Sequence, residues 1–161
     1  MFKDKNVLVT GGSGMIGRQL VKLLQEESAN VSVADKTELT DMEDVHYGQV
    51  DLRNYRDCVS VCHDMDYVFN LVGIKASPKI IQEQPADIFT PMLQFNTNMM
   101  AAAMESGVEW YLYTSSVGVY GEAEVFKEDD VWKKFPSKND WYGGWSKRMG
   151  EVQAEAYAIQ N

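Results

Sequence analysis

The fold class is indicated by one continuous segment, Asn6-Val7-Leu8-Val9-Thr10-Gly11-Gly12-Ser13-Gly14-Met15-Ile16-Gly17. Its first five residues form a short apolar run, which predicts a buried strand. The glycines follow at once, and apolar residues then recur at helical spacing as far as Glu26. A strand, a glycine-rich turn and a helix in this order are typical of a turn that binds a diphosphate.

Further strands and helices alternate along the rest of the chain. Predicted helices cover 14–26, 55–64, 86–106 and 145–161, and predicted strands after the first cover 31–35, 45–51, 66–72 and 110–115. The segments 78–85 and 122–139 are predicted loops. Because such alternation requires right-handed crossovers, we expect an α/β, Rossmann-like fold. Its doubly wound parallel sheet would have the order 3-2-1-4-5 and helices on both faces.

Composition excludes several classes of protein. The 161 residues carry 15 Lys and Arg against 24 Asp and Glu, a net charge of −9, which repels nucleic acid. No apolar run reaches the roughly 20 residues of a membrane span, and the first six residues lack the apolar stretch of a signal peptide. Cys58 and Cys62 form no disulfide framework, and their spacing is not typical of zinc sites. We expect a cytoplasmic protein without a metal or a membrane partner.

The glycine turn predicts a site for NAD. Gly11 permits the tight turn, Gly14 lets a diphosphate approach the backbone, and Gly17 lets helix and strand pack closely. The phosphates would be held where the helix starts, by residues that include Ser13, Met15 and Ile16.

An acidic residue follows at the expected distance. Asp35 ends the second strand, 18 residues after Gly17, where a carboxylate accepts hydrogen bonds from the adenosine ribose and repels a 2′-phosphate. This favours NAD. The neighbouring Lys36 could hold a 2′-phosphate, so NADP stays open.

These features and several others resemble one family, the extended short-chain dehydrogenases/reductases, which act as NAD-dependent epimerases and dehydratases of nucleotide sugars. The resemblance is carried by Thr10–Gly17, Asp35, Asp51-Leu52, Asn70–Gly73, Tyr113–Gly121 and Trp141–Glu151. Residues 73–77, 85–87 and 147–149 are most similar to the GDP-L-fucose synthases of the family.

The resemblance implies further cofactor contacts and a longer protein. Asp51 and Leu52 would lie near the adenine, and Leu71, Val72 and Gly73 would line the adenosine side. The carboxy-terminal domain that binds the nucleotide sugar has no counterpart here. We therefore expect residues 1–161 to be the NAD(P)-binding domain and the amino-terminal part of a longer chain.

The resemblance also implies a catalytic tyrosine, lysine and serine. A tyrosinate takes a hydroxyl proton as hydride leaves, and a nearby ammonium lowers the tyrosine pKa and binds the nicotinamide ribose. Lys147 is the implied lysine, and Tyr142 is the candidate tyrosine. Ser116 is the implied serine, with Ser115 as the alternative.

The tyrosine departs from the family pattern Tyr-x-x-x-Lys. Four residues separate Tyr142 from Lys147, and the position four before Lys147 is Gly143. In a regular helix, five steps of about 100° place the two side chains about 140° apart. Either Tyr142 precedes the helix and Gly143-Gly144 bends its phenol back, or the site binds cofactor but has lost its catalytic geometry.

Two missing side chains narrow the expected reaction. The dehydratases of this family place an Asp-Glu pair just after the serine, and the fucose synthases place a cysteine there. Here Val117 and Gly118 occupy these positions. We therefore expect a nucleotide-sugar epimerase or keto-sugar reductase that transfers hydride at a sugar carbon, C4. The alternative is a non-catalytic NAD(P)-binding module.

The resemblance further implies a homodimer formed through the helices at 86–106 and 145–161.

Overall fold

The computed structural model describes residues 1–38 and 42–160, and its five strands form one parallel sheet. The strands are β1 (Asn6–Thr10), β2 (Asn30–Asp35), β3 (His46–Gln49), β4 (Tyr67–Asn70) and β5 (Trp110–Tyr113). Their hydrogen-bonded order is β3-β2-β1-β4-β5, which confirms the predicted order. Thr10 pairs with Ala34 on one side and with Asn70 on the other. The carboxyl ends of the three central strands therefore lie at one edge of the sheet.

Each predicted helix is present, but the bounds differ and the structure contains further helices. They are α1 (Met15–Glu26), α2 (Tyr55–Cys62), α3 (Pro78–Glu83), α4 (Pro85–Glu105) and α5 (Trp141–Gln160), with 3₁₀ helices at Val117–Val119, Glu128–Lys133 and Lys138–Asp140. The predicted loops at 78–85 and 122–139 were wrong where α3 and two of the 3₁₀ helices lie. Ser77 starts α3, because its hydroxyl oxygen accepts a hydrogen bond from the Ile80 N–H at 3.4 Å.

The described residues form two compact units. Unit 1 comprises Met1–Gly73 and Phe95–Tyr113, and it contains the whole sheet. Unit 2 comprises Ile74–Gln94 and Thr114–Asn161, of which Asn161 lies outside the described residues.

The core of unit 1 joins the central strands to α1. Gly17, Val21 and Leu24 are buried and lie at intervals of four and three residues, on one face of the helix. Val21 and Leu24 pack in one apolar cluster with strand residues, which are Val7, Val9, Val31, Val33 and Phe69. Removing this apolar surface from water stabilises the sheet and fixes the turn between β1 and α1.

Helix α5 of unit 2 begins earlier than its sequence indicates. It starts at Trp141, so the predicted start at Trp145 was wrong by four residues. The 3₁₀ turn at Lys138–Asp140 leads directly into it. Gly143 and Gly144 are helical and buried although glycine disfavours helices. They are held there by packing, since a Cβ atom at Gly144 would lie 2.7 Å from Cβ of Pro136.

A buried arginine ties the 117–134 segment to α5. Arg148 is 2% exposed, and its guanidinium donates hydrogen bonds to the carbonyl oxygens of Val119, Val131 and Lys134. The ring centroids of Trp132 and Trp145 lie 5.1 Å and 5.5 Å from Cζ of its guanidinium group. Burial lowers the pKa of this guanidinium from its ordinary value.

Candidate functional site

The turn between β1 and α1 has the backbone geometry that its glycines predict. Gly11 has a φ of +69°, which favours glycine, and its N–H donates to the Ala34 carbonyl oxygen at 2.9 Å. The Gly14 N–H donates to the Gly11 carbonyl oxygen at 3.1 Å. A Cβ atom at Gly17 would lie 2.6 Å from Cα of Gly12. The turn is therefore closed tightly against the first turn of α1.

The amino-terminal end of α1 offers backbone donors to a ligand. Gly14 precedes the helix, and no side chain caps its end. Because the first N–H groups of a helix lack carbonyl partners within it, they can hold an anion. The side chains of Met15 and Ile16 are 85% and 65% exposed, so they leave this end open.

Asp35 faces the glycine turn from the end of β2. Its Oδ2 accepts a hydrogen bond from the Ser13 hydroxyl at 2.5 Å and from the Ser13 N–H at 3.2 Å. Its Oδ1 accepts from the Thr37 N–H at 3.0 Å. The structure thus brings the predicted acid together with the predicted phosphate turn.

The third strand is followed by a second carboxylate, Asp51. The Arg53 guanidinium donates to both of its oxygens, with Nε at 2.8 Å from Oδ1. This pairing lowers the pKa of Asp51 to about 2. Lys36 is exposed, with its ammonium 3.9 Å from Asp51. Leu52 is 5% exposed, so its side chain belongs to the core.

The segment after β4 lies against the glycine turn. The Leu71 N–H donates to the Thr10 carbonyl oxygen at 3.2 Å. A Cβ atom at Gly11 would lie 3.2 Å from backbone atoms of Leu71 and Val72, whereas nothing lies within 4 Å of one at Gly73. Leu71 and Val72 are half-buried and Gly73 is exposed. These predicted residues therefore border the same turn.

In unit 2, Ser116 and Ser115 have different partners. The Ser116 Oγ accepts a hydrogen bond from the Gly118 N–H at 3.1 Å and starts the 3₁₀ helix there. Its own hydroxyl hydrogen is left to donate. The Ser115 hydroxyl is bound instead to the carboxylate of Glu151 on α5. Ser116 is thus the serine that can donate to a ligand.

Lys147 is a buried cation beside the serine segment. The side chain is 7% exposed, and its Nζ donates to the Thr114 carbonyl oxygen at 2.8 Å. Burial disfavours the charged form and lowers the pKa of Lys147 to about 8.

Tyr142 lies within α5. It is the second residue of the helix, so the interpretation that it precedes the helix was wrong. Five helical steps separate it from Lys147, which places the two side chains about 140° apart around the axis. The Tyr142 ring is 38% exposed and lies edge-on to Phe89, with ring centroids 5.9 Å apart.

Asp140 is a carboxylate of unit 2 that no sequence motif indicated. It lies directly before α5 and is half-buried. A Cβ atom at Gly118 or at Gly143 would lie 3.0 Å from its carboxyl carbon, so the carboxylate fills the space between the two glycines. Burial raises its pKa. The two glycines are the sequence signal; Gly143 lies three residues after Asp140, but nothing local connects Gly118 to it.

The described residues contain no group of three or more His, Cys, Asp and Glu that could hold a metal ion. Cys58 and Cys62 are both fully buried, and burial raises the pKa of each thiol to about 12. Among the helices in the described part of the chain, none has the length and apolar character of a bilayer span. The cytoplasmic location stays a prediction.

A family model for NAD dependent epimerases and dehydratases matches residues 7–161, almost the whole chain. The chain belongs to the NAD dependent epimerase/dehydratase family. This confirms the resemblance to the extended short-chain dehydrogenases/reductases.

Curated members of this family share about a quarter to a third of the aligned residues. The GDP-mannose 3,5-epimerase 1 of Oryza sativa subsp. indica is 31% identical over an alignment of 147 residues that covers 85% of this chain and 38% of that enzyme. The UDP-N-acetylglucosamine 4,6-dehydratase (inverting) of Campylobacter jejuni is 25% identical over 93% of this chain and 48% of its own. The chain therefore spans less than half the length of these relatives.

Solved structures of family members agree with the fold. The UDP-glucose 4-epimerase of Thermus thermophilus, in complex with NAD, has a TM-score of 0.79 and 27% identity. The alignment covers 96% of this chain and 51% of that enzyme. This chain therefore aligns with about half of the solved epimerase.

Proposed function

We propose that the protein is an NAD(P)-dependent nucleotide-sugar epimerase or keto-sugar reductase that transfers hydride at a sugar carbon, C4. The observation that carries the proposal is the turn closed by Gly11 and Gly17, with Asp35 hydrogen-bonded to Ser13 of the same turn. Related enzymes act on GDP-mannose and UDP-glucose, which supports a nucleotide sugar as the substrate class.

The residues of unit 1 fit a dinucleotide. The first N–H groups of α1 would hold the diphosphate together with Gly11, Ser13, Gly14, Met15, Ile16 and Gly17. Asp35 would exchange its bond to Ser13 for the adenosine ribose hydroxyls, and Lys36 would bind a 2′-phosphate if the cofactor is NADP. Asp51 and Leu52 would lie by the adenine, and Leu71, Val72 and Gly73 along the adenosine. A dinucleotide held by these residues would supply the nicotinamide that accepts and returns hydride.

The residues of unit 2 would orient the substrate and move its proton. Ser116 would donate its hydroxyl hydrogen to the sugar oxygen, because its oxygen already accepts from Gly118. Lys147 would bind the nicotinamide ribose and lower the pKa of the tyrosine. Tyr142 would take the hydroxyl proton as the carbonyl forms.

The test is Tyr142→Phe in the full chain, with Tyr157→Phe on the same helix as the matched control. We expect turnover of the sugar nucleotide to fall by at least about 100-fold while calorimetric affinity for NAD or NADP is kept, because the phenol transfers a proton and binds no phosphate. Tyr157→Phe should retain both. Unchanged turnover in Tyr142→Phe would remove this residue from the mechanism.

A second candidate function is a non-catalytic NAD(P)-binding module. It is favoured by the position of Tyr142 within α5, because five ideal helical steps place its side chain on another face of the helix than that of Lys147. In that case the wild-type full chain would bind the nicotinamide cofactor but would not reduce it with any nucleotide sugar.

We also propose a homodimer formed through the helices predicted at 86–106 and 145–161. On α5, Met149, Val152 and Ile159 are exposed apolar residues at intervals of three and seven, which is one face of a helix. Light scattering on the full chain should give twice the mass of one chain.

A further inference from the structure

Unit 2 contains a carboxylate that the proposed mechanism does not use. The Asp140 carboxyl group lies between Gly118 and Gly143, and its carbon is 3.0 Å from where a Cβ atom of either glycine would be. Any larger residue at 118 or 143 would therefore displace it. The space that these two glycines leave open is filled by this one side chain.

The same carboxylate lies against Gly118, which is hydrogen-bonded to the serine that would hold the sugar. Gly118 donates its N–H to the Ser116 Oγ at 3.1 Å, so one residue links the hydroxyl group to the carboxylate. Val117 and Gly118 carry no ionisable side chain of their own. The acidic group beside Gly118 is thus supplied by another part of the chain.

Asp140 is also available for proton transfer. Within residues 1–38 and 42–160, its carboxylate has neither a hydrogen bond nor an ion pair, and it is half-buried. Burial raises its pKa because the charged form loses water. A carboxyl group in such surroundings takes up a proton more readily than an exposed one.

We propose that Asp140 is a second acid/base group, which removes and returns the proton on a sugar carbon next to the oxidised C4. This deepens the proposed function and rests on it for the substrate class. The carboxylate forms an O–H bond as the C–H bond next to the ketone breaks; the electron pair of that bond forms a C=C bond to C4, and the π pair of the C=O bond moves onto the ketone oxygen. The Ser116 hydroxyl donates to this oxygen. Return of the proton reverses each step, and no oxidant is consumed.

The test uses a substrate that is already oxidised. A nucleotide-bound 4-keto sugar, UDP-4-keto-6-deoxyglucose, is incubated with the full chain in deuterated water, and deuterium at the carbons next to C4 is followed by NMR. We expect the wild type to incorporate deuterium and Asp140→Asn to do so at least about 100-fold more slowly. The exposed Asp129→Asn is the matched control and should match the wild type.

Asparagine has nearly the size and shape of aspartate but cannot act as a carboxylate base, so a purely structural Asp140 would leave the exchange rate of Asp140→Asn near that of the wild type. That result, or a wild type without exchange, would overturn the proposal. If Asp140→Asn does not fold, Gly143→Ala serves instead, because its methyl group displaces the carboxylate and should slow exchange similarly. Reduction of NAD by a nucleotide sugar is measured separately, so failure of the proposed hydride transfer is distinguishable from failure of this inference.

Discussion

Replacing Lys147 by methionine should remove a pH dependence of stability that this buried ammonium imposes. Lys147 is 7% exposed, and burial moves its pKa from the ordinary 10.5 to about 8. A difference of this size corresponds to about 3 kcal/mol between the two protonation states. Methionine has a similar shape and no charge, so the variant does not have to bury a cation.

The sign follows from which state loses its proton first. Between about pH 8 and pH 10.5, folded Lys147 is neutral while the unfolded chain keeps the proton, so the stability of the wild type rises with pH. Cys58 and Cys62 act in the opposite direction, because their pKa is raised from 9.0 to about 12 and the unfolded chain ionises first. Both thiols are present in the variant, so their effect cancels in the difference between the two proteins.

The assay is urea unfolding followed by tryptophan fluorescence at steps from pH 7 to pH 10.5. The free energy of unfolding of Lys147→Met minus that of the wild type should fall by about 3 kcal/mol over this range. Loss of the hydrogen bond to Thr114 shifts that difference at every pH without changing its slope. The exposed control Lys36→Met should differ from the wild type by less than about 0.5 kcal/mol at pH 7. If the difference in the free energy of unfolding between Lys147→Met and the wild type stays constant with pH, burial does not lower the pKa of Lys147 and the reasoning is refuted.

Two further substitutions test the elements that support the sites. Gly17→Ala places a methyl group against the backbone of Gly12, so we expect a loss of about 1–3 kcal/mol in urea unfolding and weaker NAD binding in calorimetry. Gly48→Ala, whose methyl group would lie 3.7 Å from Val61, is its control, and equal stability of the two variants would contradict the close packing. Arg148→Met leaves three carbonyl oxygens without their donor, so a loss of at least about 3 kcal/mol is expected. The exposed Arg56→Met should change the free energy of unfolding by less than about 0.5 kcal/mol, and a similar value for Arg148→Met would refute that role.

The sheet and the glycine turn were predictable because their signals are local. The residues from Asn6 to Gly17 contain the strand, the turn and the start of α1 in one continuous stretch. The alternation of strands and helices then restricts the strand order to a few topologies. Asp35 could be assigned for the same reason, since it ends a strand that pairs with β1.

The start of α5 could not be predicted from local sequence signals. Glycine disfavours helices, so Gly143-Gly144 favours a bend that precedes the helix when only the local sequence is considered. In the fold, a Cβ atom at Gly144 would lie 3.0 Å from the carbonyl carbon of Gly118, a residue far away in the sequence. These glycines are thus set by tertiary packing, which overrides local propensity and cannot be seen in a short window.

The unusual spacing of Tyr142 and Lys147 has a physical explanation in the same packing. The position four residues before Lys147 is Gly143, and the Asp140 carboxylate occupies the space where its side chain would begin. A tyrosine at 143 and the observed Asp140 are therefore mutually exclusive. Gly143 admits the carboxylate, while Tyr142 lies one residue earlier with its ring against Phe89. The departure from Tyr-x-x-x-Lys is thus coupled to Asp140, so the catalytic roles of Tyr142 and Asp140 have to be tested together.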